Sequence, residues 1–458
     1  MRLFRRLLLA LTVSLAAAAP LAAAPAATAP HSGNPILPGY YADPSFLEVS
    51  GHFYLYATLD PWGGDTLGCW ESTDLRNWSY RTLNWPTKAA CTSPTSGGSM
   101  VWAPSVVRGP DGRFHMYVSV GSEVWAGIAD HPLGPWRNAL GDRPLIPGDF
   151  KPGFHMIDAE AFIDDDGATY LYWGSGHNWV NGRCWAVRLK PDMVTFDGEV
   201  RDVTPANYFE GPFMVKHAGR YFLTYSDGKT ITDTYQVRYA VGATPFGPFT
   251  EAPNSPILAT DKANEVVSPG HHAITTIGGH SYILYHRHSV PFDPEFIARQ
   301  TCADELSFTA EGLIAPVVPT HTAPAAFRRA APVNLATAAL ASSEATAATR
   351  AANILDDNFA TRWSAADGKT PAWIQLDLGS VRSFTTQELL FEYAWKPYRF
   401  LIEQSDDGTH WTTLRDTGAA GVLGSPVLIE YSGRARFLRL TFPADSAPTP
   451  SLFEWAVR

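Results

Sequence analysis

The sequence is poor in cysteine, in charged residues and in long apolar segments. Its 458 residues include only four cysteines, Cys69, Cys91, Cys184 and Cys302, and their spacing matches no zinc-binding motif. Charged residues make up 17% of the chain, and the formal net charge is −10 at pH 7. A protein with this charge balance offers no basic footprint to nucleic acid or to an anionic membrane surface. We therefore expect neither as a partner.

Beyond its N-terminus the chain has no apolar run approaching the roughly 20 residues that a membrane-spanning helix needs. The N-terminus carries three arginines, then an almost wholly apolar run over residues 7–19, then small residues at 22–24. This is the order of charged, apolar and cleavable regions in a secretory signal peptide. We assign residues 1–29 to a signal peptide and expect a secreted protein, either extracellular or periplasmic.

An exported protein is free to form disulfide bonds. Four cysteines allow three complete pairings, and the sequence alone does not choose among them. The short segment between Cys69 and Cys91 slightly favours that pair.

The chain is rich in glycine, proline and aromatic residues, with 37 Gly, 36 Pro, 15 Trp, 18 Tyr and 24 Phe. This composition is typical of turn-rich β structure. One pattern, made of an apolar strand, a tight turn and an aromatic strand, recurs five times along the first two thirds of the chain. The five copies end at Tyr56, Tyr117, Tyr172, Tyr225 and Tyr285, at steps of 53 to 61 residues.

Each copy is predicted to be a β-hairpin, because the glycines at its turn supply the positive φ angles that hairpin turns need. Strand-like runs between the copies, such as residues 184–189 and 236–241, complete a four-stranded sheet per repeat. Five such sheets around an axis form a five-bladed β-propeller, which we assign to residues 34–320. A larger sandwich or a solenoid is the alternative, but these repeats are long for a solenoid.

The sequence changes character after Pro316. Prolines and an Ala/Thr/Ser-rich stretch follow, and we assign residues 321–333 to a linker. Residues 334–458 contain alternating apolar and polar strands, which favour a β-sandwich. The whole chain is thus predicted to be all-β.

Acidic residues stand at the start of the first strand in three of the five repeats: Asp43, Asp158 and Glu210. The first strand of each propeller blade lines the central channel, so these side chains are expected to converge. Hydrolysis of a glycosidic bond needs one ionised carboxylate and one protonated carboxyl group. A third acid beside the proton donor raises the pKa of that donor, because like charges oppose simultaneous ionisation. The sequence supplies one residue for each of these three roles.

Eight segments of the first two thirds of the chain are, in order, NPILPGYYADPSF, CWESTDLRNW, VWAPSVV, IDAEAFIDDDGATYLYWG, EGPF, SPGHHA, YHRH and ARQTCADELSFTAEG. Together they resemble glycoside hydrolase family 43 over about residues 34–320. The resemblance implies a five-bladed propeller with Asp43 as general base, Asp158 as the residue that orients the acid and modulates its pKa, and Glu210 as general acid. Members of this kind invert anomeric configuration, which implies about 6.5–9.5 Å between base and acid, with room for a water.

The same resemblance implies two further groups near the acids. Arg299 matches an arginine that reaches into the pocket, where its guanidinium binds sugar hydroxyls or orients Asp158 or Asp43. His271 matches a histidine that points along the propeller axis toward a hydrated metal, commonly calcium. An ion-free polar channel is the alternative for that axis. No organic cofactor is expected.

Aromatic residues near the predicted site are candidates for stacking on a sugar ring, and Trp102, Trp173 and Trp179 are the ones we single out. His286 and His288 alternate along a predicted strand, so pocket lining or packing is favoured over metal binding. We place His288 among the substrate-binding residues.

The C-terminal unit is similar to the discoidin-like sandwich of coagulation-factor type C domains and of family 32 carbohydrate-binding modules. In that pattern Asp356, Thr361 and Glu454 help to hold a structural calcium. Asp357 departs from the usual Asp-Gly pair. The unit is expected to bind sugar, with support of the catalytic domain as the alternative. The segments that carry the similarity are ANILDDNFATRW, WIQLDLGSVRSF, FLIEQSDDGTHWTTL and ARFLRLTF.

Together these observations predict an inverting glycoside hydrolase that acts on arabinose- or xylose-containing polysaccharide of plant cell walls. An α-L-arabinofuranosidase is favoured. The alternatives are a β-xylosidase, an endo-arabinanase, a galactan-active member of the family, a retaining enzyme of a related five-bladed family, or a propeller that binds glycans without turnover. The sequence predicts neither the oligomeric state nor exo as against endo action.

Overall fold

The computed structural model of the chain describes residues 33–96, 99–290 and 292–458, and the predicted signal peptide lies outside these ranges. In the described residues the regular structure is β-strand apart from two short 3-10 helices, at Lys262–Asn264 and Ala351–Leu355. None of the helices found there is long and apolar enough to cross a membrane. The prediction of an all-β chain is confirmed.

Five antiparallel sheets follow one another along the chain, four with four strands and one with three. They are the blades of a five-bladed propeller, as predicted. The strands are β1 Tyr41–Val49, β2 His52–Leu59, β3 Leu67–Ser72 and β4 Ser79–Tyr80; β5 Val101–Arg108, β6 Phe114–Val120, β7 Glu123–Ala129 and β8 Arg137–Asn138; β9 Glu160–Ile163, β10 Thr169–Trp173, β11 Trp185–Leu189 and β12 Arg201–Asp202; β13 Glu210–His217, β14 Arg220–Asp227, β15 Gln236–Gly242 and β16 Thr250–Glu251; β17 Gly270–Ile277, β18 His280–His288 and β19 Arg299–Leu306.

The propeller ring is closed by the segment that precedes β1. The Asn34 side chain donates to the Ala303 carbonyl at 2.8 Å and accepts from the Ala303 N–H at 2.9 Å, so one amide pairs with β19 as a backbone unit would. The Ile36 N–H donates to Thr301 O on the same strand. The first and last blades are therefore held together by hydrogen bonds as well as by packing.

The C-terminal strands form a discoidin-like sandwich, again as predicted. Its core contains Trp363, Ile374, Leu440 and Trp455, all fully buried. The pairing of the two longest strands is interrupted between Asp377 and Arg382, and such an interruption allows a long strand to bend from one layer to the other. The strands are β20 Ala338–Ala341, β21 Trp363–Ser364, β22 Ala372–Phe391, β23 Leu401–Ser405, β24 Thr412–Asp416, β25 Val427–Phe442 and β26 Ser451–Val457.

The sandwich packs on the propeller through aromatic side chains. The Tyr40 ring contacts Phe296 of the propeller and Tyr393 and Phe453 of the sandwich, with centroids 5.6, 6.1 and 6.2 Å away. Trp395 of the sandwich lies against the next residue, Tyr41, at 5.6 Å. The sandwich therefore holds the chain segment that leads directly into Asp43.

Phe453→Ala is expected to lower the free energy of unfolding by about 3 kcal/mol, because it leaves a cavity among buried aromatic rings. Phe453 is 1% exposed. Thermal and denaturant unfolding measure the effect, and Tyr431→Ala, at a side chain of the same domain that is 40% exposed, is the control. A Phe453→Ala protein as stable as this control would contradict the described interface.

The predicted Cys69–Cys91 disulfide is wrong, since all four cysteines are free and buried. Cys69 and Cys91 belong to one apolar cluster of the first two blades. Burial raises the pKa of Cys91 to about 12, so this thiol behaves as a small apolar side chain. A short separation in sequence does not place two side chains in bonding geometry.

Candidate active site

One pocket, of about 290 Å³, lies at the end of the central channel and is lined by residues from all five blades. It contains Asp43, Asp158, Glu210, His271 and Arg299. Its remaining walls include Trp62, Trp102, His155, His177, Trp179 and Thr230. The structure thus brings together the three predicted carboxylates, the predicted arginine and the histidine assigned to the axis.

The acids converge because the innermost strand of every blade enters the channel through the same backbone distortion. One residue per blade has a positive φ there, which ordinary residues adopt only when their surroundings impose it. Most of these residues donate their N–H to a side chain of the preceding blade: Asp158 to Ser119 and Ala103 to Thr58, both at 2.9 Å. The five residues and their φ angles are Asp43 (52°), Ala103 (43°), Asp158 (59°), Gly211 (60°) and His271 (36°).

Glu210 lies one residue before this repeated position. The sequence repeats predict that it takes the same position of the repeat as Asp43 and Asp158, and that alignment is wrong by one residue. Gly211 takes the repeated position in the fourth blade, and Trp102 is the counterpart of Glu210 in the second. The Gly211 N–H donates to the Asp158 carboxylate. The offset gives the fourth blade a carboxyl group and an N–H donor side by side.

Asp43 is surrounded by donors and by positive charge. The Thr58 hydroxyl donates to its Oδ2 at 2.6 Å, and the Arg299 guanidinium donates to its Oδ1 at 3.1 Å. His286 Nδ1 and His271 Nδ1 lie 3.1 and 3.4 Å from the same Oδ1. Burial alone would raise the pKa of Asp43, but Arg299, with smaller contributions from the histidines, outweighs it and holds that pKa well below its usual value.

The pKa of Glu210 is shifted in the opposite direction from that of Asp43. Burial raises its pKa to about 7, and the nearby charge of Asp43 acts in the same direction. The Tyr235 hydroxyl and the Ser175 hydroxyl donate to its two oxygens at 2.8 and 3.0 Å, which offsets part of this rise. Near neutral pH the pocket therefore contains an ionised Asp43, together with a Glu210 of which a substantial fraction is protonated.

Asp158 lies between these two groups. Its pKa is raised by burial first, then by the charges of Glu210 and Asp43. Its Oδ2 lies 3.5 Å from His271 Nδ1, and the same ring nitrogen approaches Asp43. Because Asp158 and Glu210 oppose each other's ionisation, the pair retains at least one proton near neutral pH.

Arg299 lines the pocket, but its guanidinium nitrogens are engaged by carboxylates. Its Nε and Nη2 donate to the two oxygens of Asp60 at 2.9 and 2.6 Å, while Nη1 reaches Asp43. Asp60 is itself buried. Of the two roles that the resemblance allowed, the geometry favours orientation of Asp43.

Two predicted substrate contacts are wrong. Trp173 is fully buried and packs against Phe150 and Phe196, because its strand turns that ring into the core of the third blade. His288 is 2% exposed, and its Nε2 lies 2.6 Å from Thr230 O, so it supports a pocket wall from behind. Trp102 and Trp179 do line the pocket.

Several groups that hold the acids were not predicted: Thr58, Asp60, Ser175 and Tyr235. For His286 the sequence favoured pocket lining or packing, and the structure places its Nδ1 3.1 Å from Asp43. A signal existed for some of them, because a serine, threonine or histidine follows the repeat tyrosine by one or two residues at Thr58, Ser119, Ser226 and His286. No such pattern marks Asp60 or Tyr235.

The donors predicted for calcium are near one another in the sandwich. The Thr361 hydroxyl donates to Asp356 Oδ2 at 2.8 Å, and Glu454 is buried beside Asp356. Burial and the neighbouring carboxylates raise the pKa of Glu454 well above its usual value, and oxygen donors of this kind fit calcium. Among residues 33–96, 99–290 and 292–458, however, no three His, Cys, Asp or Glu side chains are arranged to hold a metal. Calcium here would also need backbone or water oxygens.

Gly270→Ala is expected to lower kcat by about 10²-fold, because displacement of a positioning group by about 1 Å has effects of that size. A Cβ on Gly270 would lie 2.2 Å from the Tyr235 ring, which stacks on His286 and whose hydroxyl donates to Glu210. Steady-state kinetics and thermal unfolding measure the change. A folded variant with the kcat of the wild type would show that catalysis does not depend on the position of Tyr235.

Comparisons with known proteins agree with this geometry. A family model described as glycosyl hydrolases family 43 matches residues 32–314, and one described as F5/8 type C domain matches residues 338–455. A β-D-galactofuranosidase of Aspergillus niger is 33% identical over 302 residues, which are 62% of this chain and 85% of that protein. An arabinoxylan arabinofuranohydrolase of Bacillus subtilis is 26% identical over 59% of this chain and 60% of its own length.

A solved structure described as a glycoside hydrolase covers 92% of this chain and 98% of its own chain, with a TM-score of 0.78 and 27% identity. A solved arabinoxylan arabinofuranohydrolase from Bacillus subtilis, at 21% identity and a TM-score of 0.55, covers 94% of this chain and shares its fold.

Proposed function

The chain belongs to glycosyl hydrolases family 43, and from this premise we propose that it is an inverting, exo-acting enzyme that releases terminal furanosyl residues. The sugar is an α-L-arabinofuranosyl or a β-D-galactofuranosyl group. The observation that carries the proposal is the pairing, in one pocket, of an ionised Asp43 with a Glu210 whose pKa is about 7. Exo action is supported by a pocket whose lining comes from all five blades.

The two sugars share the configuration of the furanose ring. They differ in the group outside it, a hydroxymethyl in arabinofuranose and a dihydroxyethyl in galactofuranose. Relatives named for each of them match this chain. A pocket built for the shared ring accepts both if its wall leaves room for the larger group.

In the proposed mechanism, the Glu210 carboxyl group donates its proton to the glycosidic oxygen as the bond to the anomeric carbon breaks. Water attacks the opposite face of that carbon, and Asp43 takes the proton that this water releases. The products are the free sugar with inverted configuration and the leaving alcohol. Arg299, Thr58 and His286 keep Asp43 ionised and oriented, while Asp158 favours the proton on Glu210.

The proposed activity is tested with p-nitrophenyl glycosides. We expect release of p-nitrophenol from the α-L-arabinofuranoside, the β-D-galactofuranoside or both, and little from the β-D-xylopyranoside. The relative rates on the two furanosides identify the preferred sugar. Hydrolysis of the xyloside alone would contradict the furanosidase assignment and favour the β-xylosidase alternative.

The pH dependence of kcat/KM follows from the two pKa values. Asp43 stays ionised far into the acidic range, and Glu210 loses its proton at about pH 7, so kcat/KM is expected to fall above pH 7. Tyr235→Phe removes a donor that stabilises the Glu210 carboxylate and is expected to move this basic limb to higher pH. A profile that falls only on the acidic side near pH 7 would contradict the assignment of Glu210 as acid.

Three further expectations from the sequence remain proposals. We propose that residues 1–29 direct secretion. We propose that calcium binds at Asp356, Thr361 and Glu454, and on the propeller axis near His271. We propose that the sandwich binds carbohydrate, so that a second weak contact raises the effective concentration of the enzyme on a polymer. Its packing on Tyr40 and Tyr41 supports an additional bracing role.

A further inference from the structure

Five large apolar side chains of the propeller are exposed to solvent: Trp62, Met100, Val180, Ile231 and Phe292. In the described part of residues 34–320, the other large apolar side chain with this degree of exposure is Val318, on the segment that follows the last blade. Single exposed apolar residues are common on protein surfaces, but a group of them around one opening indicates a binding surface. We call these five residues the apolar collar.

Each blade contributes one residue to the apolar collar. Trp62, Val180, Ile231 and Phe292 lie on the loops between the second and third strands of blades one, three, four and five. In the second blade the corresponding turn has only two residues, between Val120 and Glu123. Met100, on the loop that leads into that blade, supplies its contribution.

Trp62 is itself part of the pocket wall, and the other four members are connected to that wall through neighbouring residues. Trp62 lines the pocket, Val180 follows Trp179, and Ile231 follows Thr230, both of which line it. The Met100 Cβ lies 2.7 Å from where a Cβ on Gly63, next to Trp62, would be.

Phe292 reaches the pocket through one intermediate residue. Its ring lies 4.9 Å from the ring of His288, which contacts the Thr230 carbonyl. The members of the apolar collar therefore lie on loops around the opening, one member for each blade.

The position of the acids determines which part of the substrate lies beside the apolar collar. The acids form a nearly buried floor, with Asp43 and Asp158 only 6% and 5% exposed, so the sugar that is cleaved off occupies the pocket. The leaving group extends from the glycosidic oxygen toward the opening. It has to pass between the members of the apolar collar.

We propose that the apolar collar binds the leaving group of the substrate, and that this leaving group carries apolar surface, as an alkyl or aryl aglycone does. The inference rests on the proposed function and adds the chemistry of the leaving side. Three of the five members, Met100, Val180 and Ile231, have no aromatic ring. Aliphatic side chains cannot stack on a sugar ring as aromatic ones do, but they gain free energy by covering apolar groups.

The test uses methyl, butyl and octyl furanosides of whichever sugar the wild type hydrolyses, at concentrations below micelle formation. Their leaving alcohols have nearly equal basicity, so the bond-breaking step is matched across the series. Each fully buried methylene contributes up to about fourfold in binding. We expect kcat/KM for the octyl glycoside to exceed that for the methyl glycoside by about tenfold or more.

The variant for this test is Val180→Ser combined with Ile231→Ser, which is expected to lower the octyl-to-methyl ratio of kcat/KM at least threefold. Leu423→Ser combined with Leu428→Ser, at sandwich residues that are 50% and 53% exposed, is the matched control and should keep the wild-type ratio. Phe292→Ser is a second variant of the apolar collar, on a different loop.

The outcomes separate the two proposals. A wild type that hydrolyses methyl and octyl furanosides equally well would overturn the inference about the apolar collar and leave the furanosidase function standing. The same holds if both collar variants keep the wild-type ratio. Failure to hydrolyse any furanoside would overturn the proposed function itself.

Discussion

Glu210→Gln is expected to lower kcat/KM for glycosides of unactivated alcohols by about 10⁴-fold, and to lower it far less for p-nitrophenyl glycosides. An alkoxide leaves only if its oxygen is protonated as the bond breaks, and glutamine has no proton to give. p-Nitrophenolate is stable enough to leave without that help. The prediction depends on the raised pKa of Glu210, because that pKa leaves a substantial fraction of this group protonated at neutral pH.

The control for this substitution is Glu160→Gln, on the innermost strand of the third blade. Glu160 lines a separate cavity of the channel, with Ser45 and Met214. Burial raises its pKa to about 8, so it is already protonated at neutral pH and glutamine is a close match. Activity on both substrate types is expected to persist in this control. Equal losses on the two substrate types in Glu210→Gln would contradict the role of Glu210 as acid.

Asp43→Asn is expected to lower kcat/KM by about 10⁴-fold on both substrate types, because every substrate needs an activated water. An asparagine accepts no proton from water, and the substitution leaves Arg299 paired with Asp60 alone. The loss should be accompanied by near-normal substrate binding, which inhibition of the variant by the free sugar measures.

The matched control is Asp166→Asn, in the exposed turn of the third-blade hairpin, where wild-type kinetics are expected. A small anion such as formate is expected to restore part of the activity of Asp43→Asn by acting as base. Full activity without such an anion would remove Asp43 from the mechanism.

The blades could be predicted well from the sequence because each hairpin has a local sequence pattern of its own. The glycines at the turns and the closing tyrosines, Tyr56 to Tyr285, recur at nearly constant spacing, and each blade folds largely from its own segment. Asp43 and Asp158 could be placed in the channel for the same reason. Glu210 was placed one residue out of register, since the difference depends on a backbone φ at Gly211 that a repeat pattern does not contain.

The surroundings of the acids depend on contacts between residues that are distant in sequence, and the sequence does not show these. Asp60 pairs with Arg299 across more than half of the chain. Tyr235 and Glu210 belong to the same blade, but Tyr235 lies 25 residues further along the chain, just before the third strand. The side-chain direction of Trp173 and of His288 follows from the exact register of their strands, and a shift of one residue reverses such a direction. Whether Cys69 and Cys91 can form a disulfide likewise depends on the direction of their side chains, which the sequence does not show.

The sandwich is more than an appended module in this structure. Its aromatic residues Tyr393 and Trp395 pack on Tyr40 and Tyr41, and these are the residues that lead the chain into Asp43. Changes at this interface are therefore expected to affect catalysis as well as stability.

The central claim is that Asp43 activates a water while Glu210 protonates the leaving oxygen, so that hydrolysis inverts the anomeric carbon. Proton NMR of the first sugar released from an α-L-arabinofuranoside or a β-D-galactofuranoside tests it most directly, before the anomers equilibrate. The account predicts that the opposite anomer appears first, and that Asp43→Asn suppresses its formation. Release of the anomer with the configuration of the substrate would require a covalent intermediate and would contradict the account.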